Sequence, residues 1–394
     1  MMSNILIVHG GGPTTVLNSS LYGAIKEAQK HEHIQSVYGA LGGTAGFLVE
    51  DFVDFTKESH EKIELLKSTP GTAIGTSRTP LYEKEYNQMV QILLKNDIKY
   101  VIFNGGNGTM DACGNLAKVA KEHDIKVIGI PKTIDNDLAM TDHSPGYGSM
   151  ARYMATSVAE AGQDVKSMPI HVSIIEAMGR NVGWITAAAA LARKEKTDAP
   201  HMILLPEVPF DEDKFLDKVK KLHDELGGVV VVASEGLKYE NGEPIVKPIF
   251  KTERATYFGD VGTHLAELVI KKLGIKARSE KPGIIGRSSI SLQSSVDREE
   301  AINAGREAVK AAIEGQTGKM VACERESNSP YTIKPILVPI EKVMMHEKSM
   351  PKEYIDAENY DVTQEFVEYC KPLIGDEIPE FAYFQRSSDA SRKI

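Results

Sequence analysis

Long apolar runs are missing from this sequence, and so is any long run of basic charge. No stretch reaches the roughly 18 continuous apolar residues of a bilayer-spanning helix, so no membrane partner is expected. Residues 1–9 lack the basic segment and small-residue cleavage site of a secretory signal, and a cytoplasmic location is expected. Only three cysteines occur, Cys113, Cys323 and Cys370, far apart and in no metal-ligand spacing. That favours reduced thiols over a disulfide framework or a zinc site. With a formal net charge of −9, nucleic acid is not an expected partner. An acidic chain that binds a small anion must gather Arg, Lys and backbone N–H groups locally. Two nucleotide fingerprints are also absent. Gly10-Gly11-Gly12-Pro13 is not GxGxxG, which argues against a nicotinamide-linked oxidoreductase, and no Gly-Lys-Ser/Thr follows to make a Walker A loop.

What is present is a repeated pattern. At 394 residues and 42% hydrophobic composition, two α/β domains are expected. Ile5-Leu6-Ile7-Val8 reads as a parallel strand buried on both faces, stopping at the three glycines. A helical pattern follows over about 18–30. The unit recurs: strand 99–103 runs into Asn104-Gly105-Gly106-Asn107-Gly108-Thr109, then a helix to about 123, then strand 126–130. Strand, glycine turn, helix and strand predict doubly wound, three-layer α/β domains of Rossmann type with mostly parallel sheets. Ligands in such sheets sit at the carboxyl ends of the strands. A second set begins near Pro145. It comprises helix 147–163, strand 170–175 ending in Met178-Gly179-Arg180, an alanine-rich helix to about 193, and strands 202–205 and 229–233, the last ending in Ser234-Glu235-Gly236. The segment after about 328, rich in Pro, Glu and Lys, predicts mixed helix and irregular structure.

The two glycine turns offer backbone N–H groups to a phosphate, although tight βα turns are also built this way. Pro131-Lys132-Thr133-Ile134-Asp135-Asn136-Asp137 is more telling. Following a buried strand, it sets a cation, a hydroxyl, two carboxylates and an amide side by side. Asp135 and Asp137, two apart in an extended segment, point the same way, and their repulsion invites a raised pKa or a cation. Phosphoryl transfer needs such a set: a base for the hydroxyl proton, a carboxylate for Mg²⁺ and donors for phosphate oxygens. The bland alternative is an Asx-rich turn. Arg180 can grip a phosphoryl group and Glu235 can accept sugar hydroxyls. Arg278 and Arg287, in a loop-like stretch, can meet a phosphate bidentately. Trp184 and its alanines read as core.

Together these motifs resemble the phosphofructokinase family over about residues 4–325, with Gly75-Thr76-Ser77-Arg78, Pro-Lys-Thr-Ile-Asp-Asn-Asp and Met-Gly-Arg the specific pieces. Asp142-His143-Ser144-Pro145-Gly146-Tyr147-Gly148-Ser149 and Gly183-Trp184 look most like the bacterial branch that contains pyrophosphate-dependent enzymes. The resemblance implies a Mg²⁺-dependent transfer to the 1-hydroxyl of fructose 6-phosphate. Asp135 would be the general base, and Asp137 with Asn107 would hold the metal. Thr133, Ile134, Met178, Gly179 and Glu235 would contact the sugar, and Arg180 would stabilise the transferring group. Gly12, Arg78, Asn107, Gly108 and Lys132 would face the donor. Arg278, Arg287 and His171 would face the 6-phosphate. Residues 1–146, with part of 286–340, would bind the donor, 147–285 the sugar phosphate, and 341–394 would form a C-terminal extension. A homodimer or homotetramer is implied, because a neighbouring subunit supplies part of the substrate-phosphate site.

Three positions depart from the family pattern. Asn107 stands where a metal-binding Asp is frequent, His171 where an Arg is usual, and Ile284 where a His is usual. They leave open the acceptor, which becomes fructose 6-phosphate or another sugar phosphate, and a non-catalytic metabolite-binding role. For the donor, Gly108 lacks the carboxylate with which pyrophosphate users repel a nucleotide, which favours ATP. Lys132 resembles the pyrophosphate users. The expectation is ATP, with pyrophosphate as the alternative.

Overall fold

The computed structural model describes residues 2–251, 256–382 and 384. Two large sheets organise them. The first holds β1 (Ser3–His9), β2 (Ile34–Ala40), β3 (Phe52–Asp54), β4 (Ile98–Gly105) and β5 (Lys126–Pro131), joined late in the chain by β12 (Lys319–Asn328) and β13 (Tyr331–Pro339). Their order is β13-β12-β5-β4-β1-β2-β3. The second holds β6 (His171–Ala177), β7 (Met202–Leu204), β8 (Val229–Ser234) and β11 (Lys276–Glu280), in order β11-β6-β8-β7 and parallel throughout. A small hairpin, β9 (Pro248–Lys251) with β10 (Thr256–Phe258), lies between β8 and β11 in the chain.

The apolar runs explain the parallel cores. Ile5, Leu6, Ile7 and Val8 are fully buried, as are Val229 to Val232, because helices cover both faces of each sheet. The winding order reverses at β1: β2 lies on one side of it and β4 on the other, and all three strands run parallel. Both glycine turns therefore flank one switch point, where open α/β sheets bind ligands.

Helix Ser295–Ile313 returns the chain to the first sheet. It crosses helix Leu17–Ala28 so closely that a Cβ on Gly23 would collide with the Ile302 carbonyl, and one on Gly305 with that of Ser20. This crossing brings residues 283–294 back beside the first glycine turn.

Some expectations change. The segment after 328 contributes β13, which pairs antiparallel with β12 along nearly its whole length, because Ile333, Ile336 and Val338 find partners that the sequence pattern does not reveal. The alanine-rich helix is one short turn, Trp184–Ala188, continued as a 3₁₀ turn, Ala189–Ala192. Arg278 lies in β11, and Arg287 ends the short helix Gly283–Arg287, so neither sits in a loop. Trp184 is core as expected, its ring 5.4 to 6.3 Å from those of Tyr147, Tyr354, Phe366 and Tyr369. Three of those rings belong to the C-terminal segment. The three cysteines are free thiols, and no helix among the described residues is long and apolar enough to cross a membrane.

Candidate active site

The two glycine turns close on each other. Gly10 N–H donates to the Asn104 carbonyl at 2.9 Å, and a Cβ on either Gly10 or Gly105 would strike the Thr109 side chain. Two cations converge on the first turn. Lys132 Nζ donates to the Gly12 carbonyl at 2.5 Å. Arg287 Nη1 lies 3.0 Å from where a Cβ on Gly12 would sit. Gly108, in the first turn of helix Asn107–Ala120, faces open space: a Cβ there meets nothing within 4 Å.

The Pro-Lys-Thr-Ile-Asp-Asn-Asp run leaves the carboxyl end of β5. Lys132 N–H donates to the Gly105 carbonyl at 3.0 Å, and Thr133 N–H to that of Pro145 at 3.2 Å. Thr133 Oγ1 accepts from Asp135 N–H at 3.1 Å. Ile134, Asn136 and Leu138 point inward, while Asp135 and Asp137 are largely covered but not fully buried, on the cleft side. The run is not the extended segment expected. Asn136 adopts φ +54°, a left-handed turn that Asn tolerates better than most residues, and the same-side placement survives through this bend. The Asn136 side chain anchors the turn from behind. It donates to Tyr369 Oη at 3.0 Å and accepts from Ser144 N–H at 3.1 Å.

Charge and burial tune the cluster. Burial, reinforced by Asp137 and Glu235, pushes the Asp135 carboxyl up to about 7. Burial pushes the Lys132 ammonium down to about 8 against the pull of Asp135, with Arg287 and Arg78 adding repulsion. Behind Lys132 lies His9, fully buried and held neutral by burial and the lysine's charge, its Nδ1 2.7 Å from Thr72 Oγ1. Nothing in the sequence marks His9, because one His ending an apolar strand carries no motif.

Asn107 Nδ2 donates to Asp137 Oδ2 at 2.9 Å, and Oδ1 of each residue is buried without a partner. Two unpartnered oxygens on side chains joined in this way suit a hard cation such as Mg²⁺, which binds through one or two protein groups and completes its shell with water and substrate phosphate. Among the described residues no group of three or more His, Cys, Asp or Glu could hold a metal.

On the second sheet, Gly179 has φ +107°, and a Cβ there would lie 3.9 Å from Asp135 Oδ1. Ser234 Oγ donates to the Gly179 carbonyl at 2.8 Å, and Glu235 N–H to that of Ala177 at 2.9 Å. The ends of β6 and β8 thus reach Asp135, with Met178 half-buried beside them. The Arg180 guanidinium is turned away. It is exposed, donates to the Thr256 carbonyl at 3.1 Å and covers the Phe258 ring at 5.3 Å.

His171 and Arg278 are not brought to this cluster. His171 begins β6, at the opposite end of the strand from Met178, and Arg278 pairs with Ser173 two residues further along. His171 is 2% exposed with no partner on either ring nitrogen, and burial and then Arg278 lower its pKa. Ile284 is exposed. Sequence reasoning also missed Asn181, Glu347 and Lys348, which border the cluster. The latter two come from a segment with no motif.

Two facing α/β sheets, glycine turns at a switch point, converging cations and a carboxylate tuned to neutral pH define a phosphotransferase site. Residues 4–312 match the phosphofructokinase family model, and the chain belongs to that family. The pyrophosphate–fructose 6-phosphate 1-phosphotransferase of Rhodospirillum rubrum is 36% identical, over 99% of this chain and 98% of that protein. A sulfofructose kinase of Alkalicoccus urumqiensis is 32% identical, over 89% of this chain and 92% of that one. The crystal structure of the pyrophosphate-dependent phosphofructokinase of Marinobacter aquaeolei superposes with a TM-score of 0.87 at 36% identity, covering 97% and 94% of the two chains. The expectation of ATP as donor finds no support in these relatives, whereas the pyrophosphate alternative does.

Proposed function

We propose that this protein transfers a phosphoryl group from pyrophosphate to the 1-hydroxyl of fructose 6-phosphate. The observation that carries this reading is the buried Lys132 ammonium, set against the Gly12 carbonyl with Arg287 beside it. The similarity to pyrophosphate-dependent enzymes over nearly the whole chain supports it. Open space at Gly108 removes an obstacle to a nucleotide but supplies no contact to one. Lys132 and Arg287 supply charge suited to a compact inorganic anion.

Residues of the first sheet, with Arg287 and Arg78, bind the donor. Asp135 accepts the proton of the 1-hydroxyl while that oxygen attacks the terminal phosphorus, and the bridging P–O bond breaks to release phosphate. Its carboxyl near 7 suits a base working at neutral pH. Asp137 and Asn107 would hold Mg²⁺, which would offset charge on the donor oxygens. Thr133, the Ile134 backbone, Met178, Gly179 and Glu235 orient the sugar. Arg180 leaves the hairpin to meet the transferring group. His171 and Arg278 serve the 6-substituent of a neighbouring subunit's substrate in a homo-oligomer.

A second acceptor reading has its own observation. A neutral His171 and an exposed Ile284 leave fewer cations for a dianionic phosphate, which suits a singly charged sulfonate such as that of sulfofructose. The test is a matrix of pyrophosphate and ATP against fructose 6-phosphate and sulfofructose with Mg²⁺. Pyrophosphate with fructose 6-phosphate is expected to give the highest kcat/KM. A higher value for ATP overturns the donor assignment, and one for sulfofructose the acceptor assignment.

A further inference from the structure

We propose that Glu347 and Lys348, in the segment after β13, form a clasp that positions the catalytic loop, a role that rests on the phosphoryl-transfer reading above. Leu138 and Glu347 make an antiparallel bridge, and Lys348 N–H donates to the Asp137 carbonyl at 2.7 Å. The Lys348 side chain passes over the Trp184 ring at 4.9 Å. Its ammonium donates to Asn136 Oδ1 at 3.2 Å, to the Thr141 carbonyl at 3.3 Å and to that of Asp142 at 2.7 Å. One cation thus holds the left-handed residue between the two aspartates and the stretch through which the loop returns.

The adjacent side chain works on the other side. The Glu347 carboxylate accepts from Asn181 Nδ2 at 3.1 and 3.4 Å, one residue beyond Arg180. The dipeptide therefore ties the loop after β5 to the loop after β6, across the two sheets.

The chemistry of the contacts points to geometry rather than stability. The three acceptors of Lys348 are neutral, so its ammonium gives up hydration there without the return of an ion pair. Asn136 occupies a sparsely populated backbone region, which persists where the surroundings over-determine it. A loop carrying both a base and a metal ligand must hold them within a fraction of an ångström, since small displacements cost large factors in rate.

Lys348→Met in the full chain tests this by kinetics and by hydrogen exchange. With pyrophosphate and fructose 6-phosphate, kcat is expected to fall on the order of 100-fold while either KM changes less than about threefold. Amides of 134–144 are expected to exchange faster with Tm nearly unchanged. A kcat within about threefold of the parent, or unchanged exchange over 134–144, overturns the clasp. A parent protein inactive on every donor and acceptor overturns the functional reading instead, and the exchange measurement then still decides the clasp. If Lys348→Met does not fold, Glu347→Ala at an exposed side chain carries the test. Faster exchange over 178–182 with lower kcat supports the clasp, and parent values of either overturn it.

Discussion

Asn107 Nδ2 and Asp137 Oδ2 are joined at 2.9 Å, and the remaining oxygen of each side chain is buried with nothing to bond. This pair binds the first turn of helix Asn107–Ala120 to the loop after β5. It also prepares a small oxygen seat beside the glycine turns. An Asp at 107 would replace the hydrogen bond by repulsion between two carboxylates at close range.

Asn107→Asp is therefore expected to lower Tm in the absence of Mg²⁺ and to show a larger Mg²⁺-dependent rise than the parent. The Mg²⁺ concentration for half-maximal activity should fall several-fold. Thermal melts and Mg²⁺ titrations check both. An unchanged Mg²⁺ response would remove Asn107 and Asp137 from the metal seat.

The pH profile follows from two opposed shifts. Asp135, raised to about 7 chiefly by burial, must be deprotonated to act, so kcat/KM falls as pH drops below that value. Lys132, lowered to about 8 chiefly by burial, must be charged to hold the donor, so kcat/KM falls as pH rises above that value. The expected profile is a narrow bell. Lys132→Met should raise KM for pyrophosphate and erase the alkaline limb. A plateau reaching from about pH 6 to about pH 9 contradicts these assignments.

Gly12→Ala places a methyl group 3.0 Å from Arg287 Nη1, which a flexible side chain relieves by moving away. The fold should tolerate this. KM for pyrophosphate should rise on the order of 10-fold, equivalent to about 1.4 kcal/mol of lost contact. Steady-state kinetics with pyrophosphate as the varied substrate measures it.

Gly108→Asp enters open space and carries no steric cost. Activity with pyrophosphate should stay within about threefold of the parent, and any activity with ATP should disappear, as a carboxylate repels the nucleotide's added phosphate. Persistent ATP use in this variant would show that the donor is not selected at this position.

Much of this site is legible in the sequence because its chemistry is local. The glycine turns, Lys132, Asp135 and Asp137 each follow a continuous apolar strand, and a strand's carboxyl end is a place that spacing identifies. The part that stays hidden is brought together by the fold over long separations. Lys348 reaches Asn136 from a segment without periodicity, and β13 acquires its strand character from pairing with β12. Arg287 comes to Gly12 only because two helices cross at Gly23 and Gly305. The direction of the Arg180 side chain, onto Phe258, depends on a hairpin whose residues give no hint of that contact. The donor is the least legible part, because the missing carboxylate at Gly108 and the charge of Lys132 point to different donors, and it is the relatives that favour pyrophosphate.

The central claim is that Asp135 takes the proton of the acceptor hydroxyl during transfer from pyrophosphate. Asp135→Asn keeps the shape of the side chain and removes its basicity. The measurement is kcat with saturating pyrophosphate, fructose 6-phosphate and Mg²⁺, alongside Tm and the binding of each substrate. A loss of at least about 100-fold in kcat, with Tm and binding preserved, is predicted. A kcat within about threefold of the parent would contradict it.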